Sequence, residues 1–185
     1  MNVRHASAVF SPDRVYRYSL DRHWGSLWGD SCATPVVAFI GLNPSTADET
    51  RDDPTIRRCV AFAMQWGYHG LIMLNLFAFR ATDPAVLKRT ADPVGPDNDR
   101  TIRDVASRAD LVVAAWGAHG AFRERDRDVR RLAPRLLCFG TTKGGHPRHP
   151  LYLRKDTALE IYQQPPSCQI SSGPPPHTAG SWPVL

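Results

Sequence analysis

The stretch Pro35-Val36-Val37-Ala38-Phe39-Ile40-Gly41-Leu42-Asn43-Pro44-Ser45 decides how this chain reads. Its first part is a continuous apolar run with no polar alternation, bounded by Pro35 and Gly41. Such a run is the mark of a strand buried on both faces, as in a mainly parallel sheet. Gly41, Asn43 and Pro44 then form a turn. In open α/β sheets ligands bind beyond the carboxyl ends of the strands. The turn at 41–45 is therefore the first place to look for a working site.

Outward from this strand the pattern repeats. Gly70 to Phe77, Leu111 to Trp116 and Leu136 to Phe139 are further apolar runs, the last two closed by Gly117 and Gly140. A helix is expected from Thr55 to about Trp66, with Asp53 as N-cap, Pro54 at the first helical position and Gly67 as the stop. Further helices are expected at Pro84–Arg89, Asp97–Arg108 and His119–Leu132, with a last helical turn at Asp156–Tyr162. Arg14 to Leu20 alternates as a short strand does. Strands alternating with helices imply βαβ units. The expected fold is α/β: three layers, αβα, around a central, mainly parallel four-stranded sheet. The 185 residues suit one domain over 1–163. Segment 164–185 is rich in Pro, Ser and Gly, carries no charged side chain and reads as a disordered tail.

The net charge of +5 thus falls on the folded part, which suits an anionic partner. Cys32, Cys59, Cys138 and Cys168 form no CxxC pair, so no zinc or iron–sulfur site is expected. Cys59 and Cys138 read as small buried hydrophobes. Met1 to Leu20 holds no apolar signal core, and no run approaches a membrane span. A cytoplasmic monomer without cofactor is expected.

The residues after each strand read as one rim. They are Gly41 to Asp48; Asn75, Phe77, Phe79 and Arg80; Trp116, Gly117 and His119; and Lys143, His146, Arg148 and His149. Polar, aromatic and basic groups gather there, whereas the strands are almost purely apolar. Each also has a structural reading. Gly41 and Pro44 can simply make a turn, Asn43 can bond its own backbone, and Asp48, Asp52 and Asp53 can cap and solvate the next helix. Asn75 can tie a neighbouring loop, and Phe77 can be core. Two histidines, Lys143 and Arg148 in one glycine- and proline-rich loop are harder to explain by structure alone.

Four segments, in order, resemble the uracil-DNA glycosylase superfamily. Phe39-Ile40-Gly41-Leu42-Asn43-Pro44-Ser45 looks like its first active-site motif, in which the Asn, here Asn43, positions the hydrolytic water. Leu74-Asn75-Leu76 is similar to the Leu-Asn-Thr segment whose Asn reads the base edge. Val112 to His119 resembles the Leu-Leu-Trp-Gly strand. Gly145-His146-Pro147-Arg148-His149-Pro150-Leu151 resembles the His-Pro-Ser-Pro-Leu loop, whose His meets the developing base anion. One extra residue leaves His146 and His149 both as counterparts. Ser45 replaces a glycine of the first motif, and an Asp-Pro-Tyr motif is absent. The combination Gly-Leu-Asn-Pro-Ser-Thr-Ala-Asp, Asp-Asp-Pro-Thr and His-Pro-Leu-Tyr resembles, more closely still, a bacterial family of uncharacterised proteins.

The resemblance implies a protein that recognises a nucleobase in nucleic acid, DNA ahead of RNA, and hydrolyses its N-glycosidic bond. Asn43 and His146 or His149 would be catalytic; Asp48, in a segment with no clear equivalent in that superfamily, is added as the nearest carboxylate to supplement Asn43. Asn75, Phe77 and Leu42 would hold the base, and Ser45, Arg80, Lys143 and Arg148 would meet the strand. Asn43→Ala is expected to spare the fold and remove catalysis. Other classes remain: a binding protein that does not cleave, an enzyme on a free nucleoside or nucleotide, and a metal-dependent hydrolase built on the aspartates and loop histidines.

Overall fold

The computed structural model describes residues 3–25 and 35–162. It is a mixed α/β fold on one seven-stranded sheet. The strands are β1 (Val3–Phe10), β2 (Arg17–Trp24), β3 (Val36–Gly41), β4 (Gly70–Asn75), β5 (Leu111–Ala114), β6 (Leu137–Cys138) and β7 (Glu160–Ile161), in the order β1-β2-β4-β3-β5-β6-β7. The helices are α1 (Pro54–Gln65), α2 (Pro84–Arg89), α3 (Asn98–Ala106) and α4 (Arg125–Leu132).

The four apolar runs form the parallel centre of the sheet, β4-β3-β5-β6. The sheet is nevertheless wider than the four strands expected. The β1–β2 hairpin adds antiparallel to β4, and β7 adds antiparallel to β6. Strand β2 buries Arg17 and Arg22, so its letters do not show the simple apolar alternation of a half-buried strand. Arg14, expected inside a strand, instead turns the hairpin with φ 58°. The helical turn expected at 156–162 is replaced by β7, where the Tyr162 N–H donates to the Leu136 carbonyl. The expected helix 119–132 is broken. A 3-10 segment over Gly117–Glu124 kinks at Phe122 and Arg123 before α4 begins. Tertiary contacts override the helical pattern there: Phe122 packs on Phe77, and Arg123 donates to the Thr90 and Ala91 carbonyls. The expected tail 164–185, with Cys32 and Cys168, lies outside the described residues.

Alternation along β3 feeds two cores. Ala38 and Ile40 pack with Ile102 and Val105 of α3 and Val129 of α4. Val37 and Phe39 face the other way, onto Ile56, Cys59, Val60, Phe62 and Ala63 of α1. Phe39, Phe62, Trp66 and Phe139 stack on that second face. Each such buried side chain contributes about 1.5–3 kcal/mol by removal from water. Helix α1 starts as expected, the Asp53 carboxylate accepting the Ile56 N–H at 2.9 Å with Pro54 in the first turn. Among the described residues no helix is long and apolar enough to cross a membrane.

Candidate functional site

A cavity of about 340 Å³ opens where the central strands end. Gly41, Leu42, Asn43 and Ser45 line it beyond β3, Asn75 at the end of β4, and Trp116 and Gly117 beyond β5. His149 closes it from the 141–149 loop, Asp53 from the start of α1, and Arg17 from β2. Asn43, Asn75 and His149, far apart in sequence, thus meet at one place.

Asn75 is 3% exposed, and its Nδ2 meets no hydrogen-bond partner. A buried amide normally finds its partners, and beside this cavity a water or a ligand would supply one. The strand end that carries it is held from behind. Asn98, fully buried, donates from Nδ2 to the carbonyls of Asn75 and Leu76 at 3.1 and 3.0 Å.

Asn43 is anchored through its donor side. Its Nδ2 donates to the Ala81 carbonyl at 2.7 Å and the Pro44 carbonyl at 3.0 Å. Its Oδ1 accepts from no donor among the described residues, which leaves an acceptor for a ligand or a water.

His149 caps the short 3-10 turn Pro150–Tyr152, its Nδ1 accepting the Leu151 N–H at 3.3 Å. That bond requires the ring proton on Nε2, so neutral His149 is a donor on its other edge. Burial pushes its pKa below the ordinary value, with the nearby Asp53 charge opposing. The Asp53 carboxylate uses Oδ1 as the α1 cap and keeps Oδ2 without a protein donor among the described residues.

Arg17 is 2% exposed, with one guanidinium hydrogen bond, from NH1 to the Ala47 carbonyl at 2.7 Å. The cavity therefore combines a buried cation, a carboxylate, a neutral imidazole donor and two amides. Such a set can read a planar polar ligand, hold a water and stabilise developing negative charge.

Several expected site residues lie elsewhere. The Asp48 carboxylate accepts from Thr50 N and Arg51 N at 2.9 and 2.8 Å and closes its own loop. The hydrogen bond to Thr50 N, foremost, holds its pKa below the usual carboxylate range. The carboxylate in the cavity is Asp53, which the sequence offered as a helix cap and as one ligand of the metal-hydrolase alternative. His146 sits in the turn closed by Thr142 N donating to the His146 carbonyl at 2.8 Å, and does not line the cavity. Phe77 is fully buried in the core against Phe122. Lys143 and Arg148 are exposed on the outer loop, where Arg148 donates to the Thr141 carbonyl. Arg80 lines a neighbouring groove with Arg14, Arg51 and Ser45, and Ser45 is shared with the cavity. Arg17 was missed altogether; its signal was a lone Arg between Tyr16 and Tyr18 in a strand. Among the described residues no group of three or more His, Cys, Asp and Glu is placed to hold a metal ion.

No curated protein and no solved structure matches the chain. A family model described as "Protein of unknown function (DUF1643)" matches residues 17–151, a span that runs from Arg17 to the turn after His149 and takes in every cavity residue named above. The chain belongs to the DUF1643 family.

Proposed function

We propose that the cavity receives a single nucleobase, extruded from a nucleic-acid strand, and hydrolyses its N-glycosidic bond on a fold of the uracil-DNA glycosylase type. The observation that carries this reading is the buried, unpartnered Asn75 amide in the same cavity as the Asn43 acceptor and the His149 donor. The volume, about 340 Å³, lies at the small end of ligand pockets, which run from about 300 to 1,000 Å³. An amide offers both a donor and an acceptor, the pair a pyrimidine edge requires.

In this reading Asn43 Oδ1 orients a water and the free oxygen of Asp53 takes its proton. The water oxygen bonds to the sugar C1′ as the C1′–N bond breaks. The bonding pair stays on the base, and the Nε2–H of His149 donates to the base oxygen on which the charge gathers. The proton held by Asp53 ends on the released base, so water is divided between sugar and base. Unstacking the base costs a few kcal/mol and favours damaged, mismatched or single-stranded targets. The groove that adjoins the cavity through Ser45 carries Arg51 and Arg80, which suit the strand's phosphates, while its Arg14 is paired with Glu49.

The test is a panel of damaged and modified oligonucleotides scored for abasic sites. The reading expects at least one to be converted in a protein-dependent way; no conversion across the panel contradicts it. A free nucleotide as substrate is the second reading. The buried guanidinium of Arg17 inside the cavity serves that reading as well as the first, since it can hold a phosphate from either source.

A further inference from the structure

Three arginines are buried among the described residues: Arg17, Arg22 and Arg125, at 2%, 2% and 4% exposure. Two have carboxylate partners. Arg22 pairs with Asp52 at 2.8 Å, and Arg125 pairs with Asp99. Arg17 forms no ion pair among the described residues. Its Nε has no hydrogen-bond partner, and its one hydrogen bond goes to the uncharged Ala47 carbonyl. The charges of Asp53 and Asp48 act on it only from beyond ion-pair distance. Burial brings the Arg17 pKa down to about 10, so the group remains a cation at neutral pH.

A buried charge without a direct ion-pair partner is costly, and proteins normally pair it. Arg17 is the exception here, and it is also the buried arginine that lines the cavity. A guanidinium presents a planar fork that matches the oxygens of a phosphate or carboxylate. Ser45 adds a hydroxyl where the cavity meets the groove of Arg14, Arg51 and Arg80.

We propose that Arg17 is the receptor for an anionic oxygen of the ligand, namely the phosphate of the nucleotide whose base enters the cavity. The choice of phosphate rests on the base-binding reading; the need for an anion does not. The phosphate comes from a free nucleoside monophosphate or from a phosphodiester within a strand.

The experiment compares the parent protein, Arg17→Met and Arg17→Lys by thermal shift and equilibrium binding. The probes are inorganic phosphate, deoxyuridine, deoxyuridine 5′-monophosphate and a short single-stranded oligomer containing one deoxyuridine. We expect inorganic phosphate to stabilise the parent. The monophosphate should bind it at least tenfold more tightly than the nucleoside. Arg17→Met should lose both effects; it also removes the donor to the buried Ala47 carbonyl, so the melting temperature of the unliganded variant serves as the folding control. Arg17→Lys should retain part of the phosphate effect. Tighter binding of the oligomer than of the monophosphate assigns the anion to a strand; the reverse assigns it to a free nucleotide.

Absence of any phosphate effect on the parent overturns the proposal. So does an equal monophosphate-to-nucleoside ratio in parent and folded Arg17→Met. Base release that is equal in parent and Arg17→Met would overturn the role of Arg17 and leave the glycosidic reading standing. Arg17-dependent phosphate binding without base release from any oligomer would do the opposite.

Discussion

Asn75 and Gly41 lie opposite each other on the paired parallel strands β4 and β3, and a Cβ built on Gly41 would come 3.0 Å from Asn75 Oδ1. That approach is tighter than an ordinary Cβ contact, so a side chain at 41 presses on the amide. We therefore expect Gly41→Ala to displace Asn75 and weaken ligand binding severalfold to tenfold. The measurement is the melting shift given by the best ligand, with the unliganded protein as control. Unchanged ligand affinity in a folded Gly41→Ala protein would dissociate Asn75 from recognition.

Asn43 bears on stability as well as on the site. Its Nδ2 satisfies the Ala81 and Pro44 carbonyls, so truncation leaves both without that donor. Asn43→Ala should cost about 1–3 kcal/mol by urea unfolding, in addition to removing base release. This revises the expectation, drawn from sequence, that the substitution spares the fold. An unfolding midpoint equal to the parent's would restore that expectation.

His149 gives the stability a pH dependence of definite sign. Burial lowers its folded-state pKa below the ordinary value of about 6.5. As pH falls, the unfolded chain takes up the proton first. The stabilisation from the neutral ring is complete above about 6.5 and is lost as pH falls through the lower folded value. His149→Asn keeps a side-chain acceptor for Leu151 N–H and does not titrate. The stability of the parent relative to His149→Asn should therefore decline on acidification across that window. A constant difference between the two from neutral pH downward would show that His149 does not titrate with folding.

The parallel centre was legible because β3, β4, β5 and β6 are nearly pure apolar runs and helical patterns alternate with them, the combination βαβ units require. The α1 boundary was legible because Asp53 and Pro54 are specific start signals. The hairpin was only half legible. Arg17 and Arg22 look like surface residues by composition, and their burial depends on the Ala47 carbonyl and on Asp52, which are remote in sequence. At the site, Asn43, Asn75 and His149 stood out as polar groups just after apolar strands or in a charged loop. Asp48 and Asp53 could not be told apart by spacing. The Thr50 and Arg51 amides that engage Asp48 depend on a loop conformation no pattern shows. His146 and His149 were equally ambiguous until the 142–146 turn placed one outside the cavity.

Asp53→Asn offers the most direct measurement. Asn caps a helix about as well as Asp, so Ile56 N–H keeps its acceptor and the fold should hold to within about 1 kcal/mol. In the hydrolytic reading the lost group is the acceptor for the proton of a water held by Asn43. Free base released in a single turnover should therefore fall by about 10²–10⁴ relative to the parent, with oligonucleotide affinity little changed. Release at the parent's rate from folded Asp53→Asn protein, or no release by either protein from any substrate in the panel, would contradict a hydrolytic cavity.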